Sequence, residues 1–223
     1  MTDTIAVIAD IHGNIWALEA VLVDIQRRGI STILNLGDHV YSPMAPAATI
    51  ERIMNTPMIN ISGNEDRCLF LPPEEAAEYA CYEFVRSQLS AEQLAWLQAL
   101  PSTAIIGETP TTSGDILCCH GTPFSDETYL LETVTEHVVS LTSTERILDF
   151  VQSISQSLIL CAHTHIPRMV GLPHGRLIVN PGSVGWQAYS DTQPYPHRIE
   201  SGSPHARYAI LQRNGYDWNV EHI

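Results

Sequence analysis

The sequence has 223 residues, of which 44% are hydrophobic, and a formal net charge of −14. This composition allows a sizeable core and excludes a disordered chain, and the length suits one α/β domain, which we expect to span residues 1–223. The negative charge argues against nucleic-acid polymers and membranes as partners. A small phosphorylated substrate remains compatible with it, because bound divalent cations reverse the charge locally.

The cysteines and the N-terminal residues indicate a cellular compartment. Five cysteines are too few for a disulfide-rich scaffold. The first residues do not resemble a secretory signal, and no apolar run approaches the ~20 residues of a membrane span. We therefore expect a cytoplasmic protein with reduced thiols. The oligomeric state is left open, and a homo-oligomer is compatible with the sequence.

Asp10 and His12 lie between an apolar run at residues 5–9 and an amphipathic pattern at residues 15–22. The run predicts a buried strand and the pattern predicts a helix. Side chains two residues apart in an extended segment point the same way, at the sheet edge where open α/β folds bind ligands. A carboxylate beside an imidazole is half of a metal site, although alone the pair is typical of a turn residue and an exposed histidine.

Asn14, at the start of the predicted helix, either caps the helix or contacts a substrate.

Two further strand-to-turn units follow in the first half. Residues 32–36 and 57–61 predict strands that end at Gly37-Asp38 and Gly63-Asn64, and residues 47–54 predict a helix. Strands alternating with helices imply a mostly parallel sheet. Each turn carries a ligand-type side chain at the same sheet edge.

The middle of the chain repeats this pattern with histidines. The sequence predicts helices over 74–88, 91–100 (capped by Ser90) and 144–153 (capped by Ser143), and strands over 103–106, 108–112, 116–119 and 158–161. The strand at 116–119 runs into His120-Gly121, and the strand at 158–161 runs into His163-Thr164-His165. Imidazoles therefore follow two more buried strands.

The last part reads as hairpins around one long loop. Residues 168–171 and 177–179 predict one hairpin, and residues 208–212 and 218–221 predict an antiparallel pair. Residues 186–205 show no periodicity, and a structureless loop of this length is usually functional or mobile. We expect that loop to offer the substrate one of three side chains: His197, Arg198 or His205.

Seven side chains stand at these predicted strand ends, too many for one tetrahedral zinc ion and suited to two divalent cations that share ligands. They are Asp10, His12, Asp38, Asn64, His120, His163 and His165. Their order, D-x-H, G-D, G-N, H-G and H-x-H, resembles the calcineurin-like metallophosphoesterases. The segments Leu36-Gly37-Asp38, His120-Gly121-Thr122-Pro123 and Asn180-Pro181-Gly182-Ser183-Val184-Gly185 are similar to the small bacterial and archaeal branch of that family. The resemblance implies an α/β fold of two packed mixed β-sheets flanked by helices, the α/β/β/α sandwich.

The resemblance also implies ligand roles. Asp10, His12, Asp38 and His165 would hold one cation, and Asp38, Asn64, His120 and His163 the other, with Asp38 bridging. Asp38, Asn64 and His120 would thereby take part in catalysis. Two such cations generate a hydroxide at neutral pH, which would hydrolyse a phosphodiester or phosphomonoester by in-line attack. Oxygen and nitrogen ligands accept manganese, iron, zinc or nickel.

Glu65 departs from the family pattern. Relatives often carry a histidine at this position, where it protonates the leaving group. Without it we expect aryl esters to be cleaved faster than alkyl esters, because an alkoxide leaves with a proton. Glu65 either lies near the substrate or forms a structural ion pair with Arg67 or Arg168.

Two other functions remain open at this point. One is a catalytically weak metal-binding scaffold, as in a eukaryotic retromer subunit of this fold. Its branch has lost part of the histidine set, whereas every ligand position is filled here. The other is a hydrolase of dinucleoside polyphosphates, whose members usually carry the histidine that Glu65 replaces.

Overall fold

The computed structural model describes residues 4–76, 79–107, 115–215 and 217–223. The strands are β1 Thr4–Ile8, β2 Thr32–Asn35, β3 Ile59–Asn60, β4 Thr103–Ile106, β5 Ile116–Cys119, β6 Glu132–Val134, β7 Val139–Leu141, β8 Leu158–Leu160, β9 Arg168–Gly171, β10 Leu177–Asn180, β11 Ala188–Asp191, β12 His197–Glu200, β13 Ala209–Asn214 and β14 Asp217–His222. The helices are α1 Ile15–Arg27, α2 Pro46–Met54, α3 Asn64–Cys68, α4 Pro73–Ala76, α5 Tyr82–Gln88, α6 Ala91–Gln98 and α7 Thr144–Val151. None of the helices in these ranges is both long and apolar enough to cross a membrane.

Two five-stranded mixed sheets form the centre of the fold. The first has the order β14-β13-β1-β2-β3, in which β1, β2 and β3 run parallel and β13 pairs antiparallel to β1. The second has the order β4-β5-β8-β10-β9, in which β5, β8 and β10 run parallel and the two edge strands antiparallel. Each sheet therefore brings the carboxyl ends of three parallel strands to one edge.

The inner faces of the two sheets pack on each other. Val7 and Leu34 from the first sheet share one buried cluster with Ile116, Leu158 and Val179 from the second. This packing continues on the outer faces, where α1 covers the first sheet and α7 covers the second. Residues of α2, α5 and α6 form a further cluster beside the first sheet. The layers are helix, sheet, sheet and helix, and this confirms the α/β/β/α expectation.

The predicted helix over 74–88 is wrong in its middle. It is replaced by α4 and α5, and residues 79–81 between them form a turn. The reason is a tertiary contact, because the hydroxyl of Tyr41 accepts a hydrogen bond from the Cys81 amide at 2.9 Å. A side chain forty positions earlier thus takes an amide that a continuous helix would use.

The prediction of a structureless segment over 186–205 is also wrong. Strands β11 and β12 form an antiparallel hairpin in which Tyr189 pairs with Ile199. Ile199 is buried and anchors the hairpin, whereas most of its neighbours are exposed, so no alternating pattern was visible in the sequence. The predicted strand over 108–112 lies outside the described residues.

Candidate metal centre

The predicted ligand residues meet where the parallel strands of both sheets end. Asp10 follows β1, Asp38 follows β2, and His120 and His163 follow β5 and β8. Hydrogen bonds join the two edges directly: the His120 ring donates through Nδ1 to the Leu36 carbonyl oxygen at 2.7 Å, from the second sheet to the first. The strand ends of two separate sheets therefore build one site.

The loop of residues 180–185 is hydrogen-bonded to the segment that carries Asp10 and so holds the two sheets together at the site. The backbone amides of Val184 and Gly185 donate to the carbonyl oxygens of Ala9 and Asp10 at 2.9 and 3.0 Å, and the Ser183 hydroxyl donates to the Asp10 carbonyl oxygen at 2.9 Å. A Cβ atom on Gly185 would lie 1.8 Å from the Ile11 carbonyl oxygen. Only glycine permits this close approach.

Five of the candidate ligands adopt left-handed backbone conformations. The φ angles are 53° for Asp10, 46° for His12, 57° for Asp38, 69° for His163 and 56° for His165. Among the described residues, one other non-glycine residue, His174, has a positive φ. Such conformations are unfavourable for residues with a Cβ atom and concentrate at functional sites. The backbone thus marks this cluster independently of any sequence motif.

Each of the four imidazoles is fixed by a backbone carbonyl. His12, His120 and His165 use Nδ1 toward the oxygens of Tyr41, Leu36 and Trp186, at 3.2, 2.7 and 2.5 Å. His163 uses Nε2 toward the oxygen of Glu127 at 3.1 Å. A carbonyl oxygen only accepts, so the ring nitrogen that faces it carries the proton, and in a neutral imidazole the other nitrogen carries a lone pair. Hydrogen bonds of this kind fix the tautomer of metal-ligating histidines.

The other ring nitrogens converge in a first group around Asp10. Nε2 of His12 and Nε2 of His165 lie 3.1 Å apart, and Nε2 of His165 lies 3.6 Å from Oδ1 of Asp10. Ligand atoms that sit about 2.0–2.2 Å from one ion are about 3.0–3.5 Å from each other. These three residues therefore have the spacing of ligands around one cation.

A second group forms around Asp38. Its Oδ2 lies 3.2 Å from Nε2 of His120, and His163 completes the group. Asp38 also belongs to a third group with His12 and Glu65. Asp38 thus adjoins ligands of both expected cation positions, as a bridging residue would.

Buried oxygen atoms without partners support the same reading. Within the described ranges, neither carboxylate oxygen of Asp10 accepts a hydrogen bond, and the Oδ1 atom of Asn64 is likewise buried without a donor. Burying a carboxylate without compensation is costly. The donor set of carboxylates, imidazoles and one amide fits divalent cations, and a cation would satisfy these atoms.

In the metal-free site, burial and neighbouring charges shift the pKa values of the candidate ligands, so that several of them hold protons at neutral pH. Burial raises the pKa of Asp10 to about 7. Burial acts to lower the pKa of His12, but the carboxylates, foremost Glu65, outweigh it and raise that pKa to about 9. The pKa of His120 rises to about 10, because Asp38 and Asp10 overcome the effect of burial. Burial lowers the pKa of His163 to about 4.

Glu65 lies beside His12. Its Oε2 is 2.9 Å from Nδ1 of His12, and burial raises the pKa of its carboxyl group. The expected ion pairs with Arg67 or Arg168 are wrong: Arg67 binds Asp126 and Glu127, and Arg168 binds Glu132.

The other candidate substrate residues lie around the site. Asn14 caps α1, accepting from the Ala17 amide at 3.1 Å, and donates to the Gly185 carbonyl oxygen at 3.1 Å. Its polar atoms are therefore used within the fold, and its contact with substrate stays a prediction. His197 approaches Tyr129, while Arg198 and His205 are exposed.

A cavity of about 360 Å³ opens directly above the ligand cluster. Its floor includes His12, Asp38, Asn64, Glu65, His163 and His165, and its walls include Tyr41, Tyr79, Trp186 and Tyr189. The volume is at the lower end of the range for small-molecule sites. Five of the seven candidate ligands therefore line a cavity that a small molecule could enter.

The sequence model of the Calcineurin-like phosphoesterase superfamily domain matches residues 4–197. The chain belongs to this superfamily. This confirms the resemblance drawn from the motif order, and the matched region contains every candidate ligand.

Several other proteins are similar to this chain in sequence or in structure. The metallophosphoesterase of Sphaerobacter thermophilus has a similar structure, with a TM-score of 0.71 and 27% identity over 99% of this chain and 88% of that one. An uncharacterized protein of Methanocaldococcus jannaschii is 29% identical over 188 residues, which cover 81% of this chain and 69% of the relative. A structure described as a novel archaeal phosphodiesterase shares the fold, with a TM-score of 0.51 and 13% identity over 99% of each chain.

Sequence reasoning missed the residues that surround the ligands. Trp186, Tyr189 and Tyr129 contact the ligand histidines, and Asp66 binds the backbone of two ligand turns. The sequence offered only a weak signal for the first two, namely aromatic side chains within an otherwise polar segment. For Asp66 there was none beyond its place in the Gly63-Asn64 turn.

Proposed function

We propose that this protein is a metal-dependent phosphoesterase that holds two divalent cations and hydrolyses a small phosphorylated substrate, a phosphodiester or phosphomonoester. The observation that carries the proposal is the orientation of the four imidazoles. Each has its outer nitrogen bound to a backbone carbonyl and its inner nitrogen directed toward Asp10 or Asp38. Such an arrangement is a preformed ligand set.

The chain's residues divide the work. Asp10, His12 and His165 would hold one cation, Asn64, His120 and His163 the other, and Asp38 both. Two cations so placed activate water as a nucleophile and stabilise the charge on the phosphoryl oxygens. The cavity beside them has a size that suits a small substrate and is lined in part by aromatic side chains. The complete histidine set favours catalysis over a scaffold role.

A metal-by-substrate panel tests this proposal. Protein stripped with a chelator would be reloaded with Mn²⁺, Fe²⁺, Zn²⁺ or Ni²⁺ and assayed on bis(p-nitrophenyl) phosphate, p-nitrophenyl phosphate and an alkyl phosphodiester. We expect hydrolysis with at least one ion and none in the stripped protein. In Asp38→Asn, activity should fall to background and metal content to one ion or none. Asp149→Asn, on the exposed face of α7, is the matched control. A two-metal protein inactive on all three esters would overturn the proposal.

A further inference from the structure

The segment that follows residue 185 runs over the candidate metal centre and contacts its histidines. The Trp186 carbonyl oxygen accepts from Nδ1 of His165 at 2.5 Å. The Trp186 ring lies edge-on to the His12 ring, with centroids 5.2 Å apart. The start of the β11–β12 hairpin is thus part of the site.

Two tyrosines extend this contact to the H-x-H pair. The ring of Tyr189, on β11, packs on the His165 ring with centroids 4.8 Å apart, and its hydroxyl donates to the His163 carbonyl oxygen at 3.2 Å. The ring of Tyr129, from the loop before β6, packs on the His163 ring with centroids 4.9 Å apart. The two hydroxyls are hydrogen-bonded to each other at 2.7 Å.

The protons of this group can be assigned. The Tyr189 hydroxyl donates to a carbonyl oxygen, so Tyr129 donates to Tyr189. His197 uses Nδ1 toward the Tyr195 carbonyl oxygen at 2.7 Å, and its Nε2 lies 3.3 Å from the Tyr129 hydroxyl, whose one proton is already donated to Tyr189. Both hydroxyls are therefore engaged within the fold, and their role is to hold neighbouring groups in place.

The two histidines need such support. His163 and His165 lie beyond the end of β8 and both have left-handed backbones, with φ of 69° and 56°. Strain of this kind persists only where surrounding contacts impose it. The tyrosines supply those contacts on both rings and on the intervening backbone. The buried Ile199, paired with Tyr189 across the hairpin, fixes Tyr189 in turn.

We propose that Tyr129 and Tyr189 are positioning residues, a tyrosine clamp that holds His163 and His165 in the orientation in which they bind the two cations. The proposal rests on the metal site of the proposed function and assigns a role to the hairpin. Because Tyr189 touches both histidines, the clamp couples the ligands of one cation to those of the other.

Metal titration of conservative variants tests the clamp. Stripped wild type, Tyr129→Phe, Tyr189→Phe and the double variant would be titrated with Zn²⁺ against a colorimetric chelator, and the melting temperature of each metal-free protein would be recorded. We expect each single variant to bind Zn²⁺ about 10–100-fold more weakly, the usual effect of losing a group that orients a ligand. The double variant should bind no more weakly than the worse single variant, because the two hydroxyls act as one unit.

Tyr195→Phe is the matched control, since it lies in the same hairpin with an exposed side chain, and it should bind like wild type. Variants that all bind both ions within about twofold of wild type would overturn the clamp, even if they melt earlier, because the pair would then serve folding alone. Wild-type protein that takes up no divalent ion would overturn the clamp and the proposed function together. If wild type binds two ions and the variants bind them with unchanged affinity, the clamp alone would be overturned.

Discussion

At the scale of single residues, Glu65 departs from the motif pattern that the family resemblance implies. Its carboxylate lies 2.9 Å from Nδ1 of His12, on the side of the ring opposite the metal-facing Nε2. A carboxylate behind a ligand histidine orients the ring and increases its basicity. We therefore expect Glu65 to support cation binding through His12, a role different from protonating a leaving group.

Replacing Glu65 by Gln should weaken cation binding by about 10–100-fold, because the amide keeps the size of the side chain and loses its charge. Chelator competition would measure the affinity. Glu51→Gln, at an exposed position of α2, should leave it unchanged. Equal affinities for wild type and Glu65→Gln would show that the contact with His12 has no part in ligation.

The raised pKa values of the candidate ligands predict that metal binding depends on pH. Free histidine titrates near ~6.5, whereas here the pKa values of His12 and His120 are raised to about 9 and about 10. Both rings are therefore protonated at pH 7 in metal-free protein, and burial raises the pKa of Asp10 to about 7. A cation displaces these protons, so apparent affinity should rise with pH between 6 and 9.

Calorimetry in buffers of different ionisation enthalpy would count the protons released at each pH. We expect more than one proton released per chain at pH 7 and fewer at pH 9. Constant affinity across this interval, without proton release, would contradict the assigned protonation states.

At the scale of elements, Asp66 joins two of the ligand turns. Its buried carboxylate accepts from the backbone amides of Asp38, His39 and Gly63, each at 2.9 Å, and pairs with the His39 ring at 2.7 Å. A Cβ atom on Gly63 would lie 2.1 Å from Oδ1 of Asp38. The turns after β2 and β3 are thus held together by the hydrogen bonds of the Asp66 side chain and by the close packing of Gly63 against Asp38.

Asp66→Asn should destabilise the protein by about 1–3 kcal/mol for each buried donor left without an acceptor, because the amide has one acceptor oxygen where the carboxylate has two. Denaturant unfolding would measure the loss. Asp126→Asn breaks a partly exposed ion pair with Arg67 and should cost at most about 1 kcal/mol. Similar losses in the two variants would contradict the anchoring role of Asp66.

Local signals were enough to predict many elements. Ser90 and Ser143 cap α6 and α7 as expected, and the strands before Asp10, Asp38 and His120 were visible as apolar runs. The β11–β12 hairpin was missed because tertiary contacts, such as the burial of Ile199, hold its polar strands. No local pattern encodes contacts of that kind.

At the scale of the whole molecule, the second sheet shows what hydrophobic periodicity in the sequence cannot predict. Its centre is the parallel pairing of β5 with β8 and of β8 with β10, between segments far apart in sequence, and the residue pattern alone revealed only its hairpins. The motif order supplied the two-sheet fold and all seven candidate ligands. It did not supply Tyr129, Tyr189 or the pairing of Glu65 with His12, since these lie outside the motifs or depart from them.

The central claim is that one site between the two sheets holds two cations that share Asp38. Electron paramagnetic resonance during stepwise Mn²⁺ loading tests it most directly, because two Mn²⁺ ions about 3.5–4 Å apart and bridged by one carboxylate are magnetically coupled. We predict two ions per chain and a coupled spectrum at full loading, with the coupling lost in Asp38→Asn. A single ion per chain, or two ions whose spectra stay uncoupled, would contradict the account.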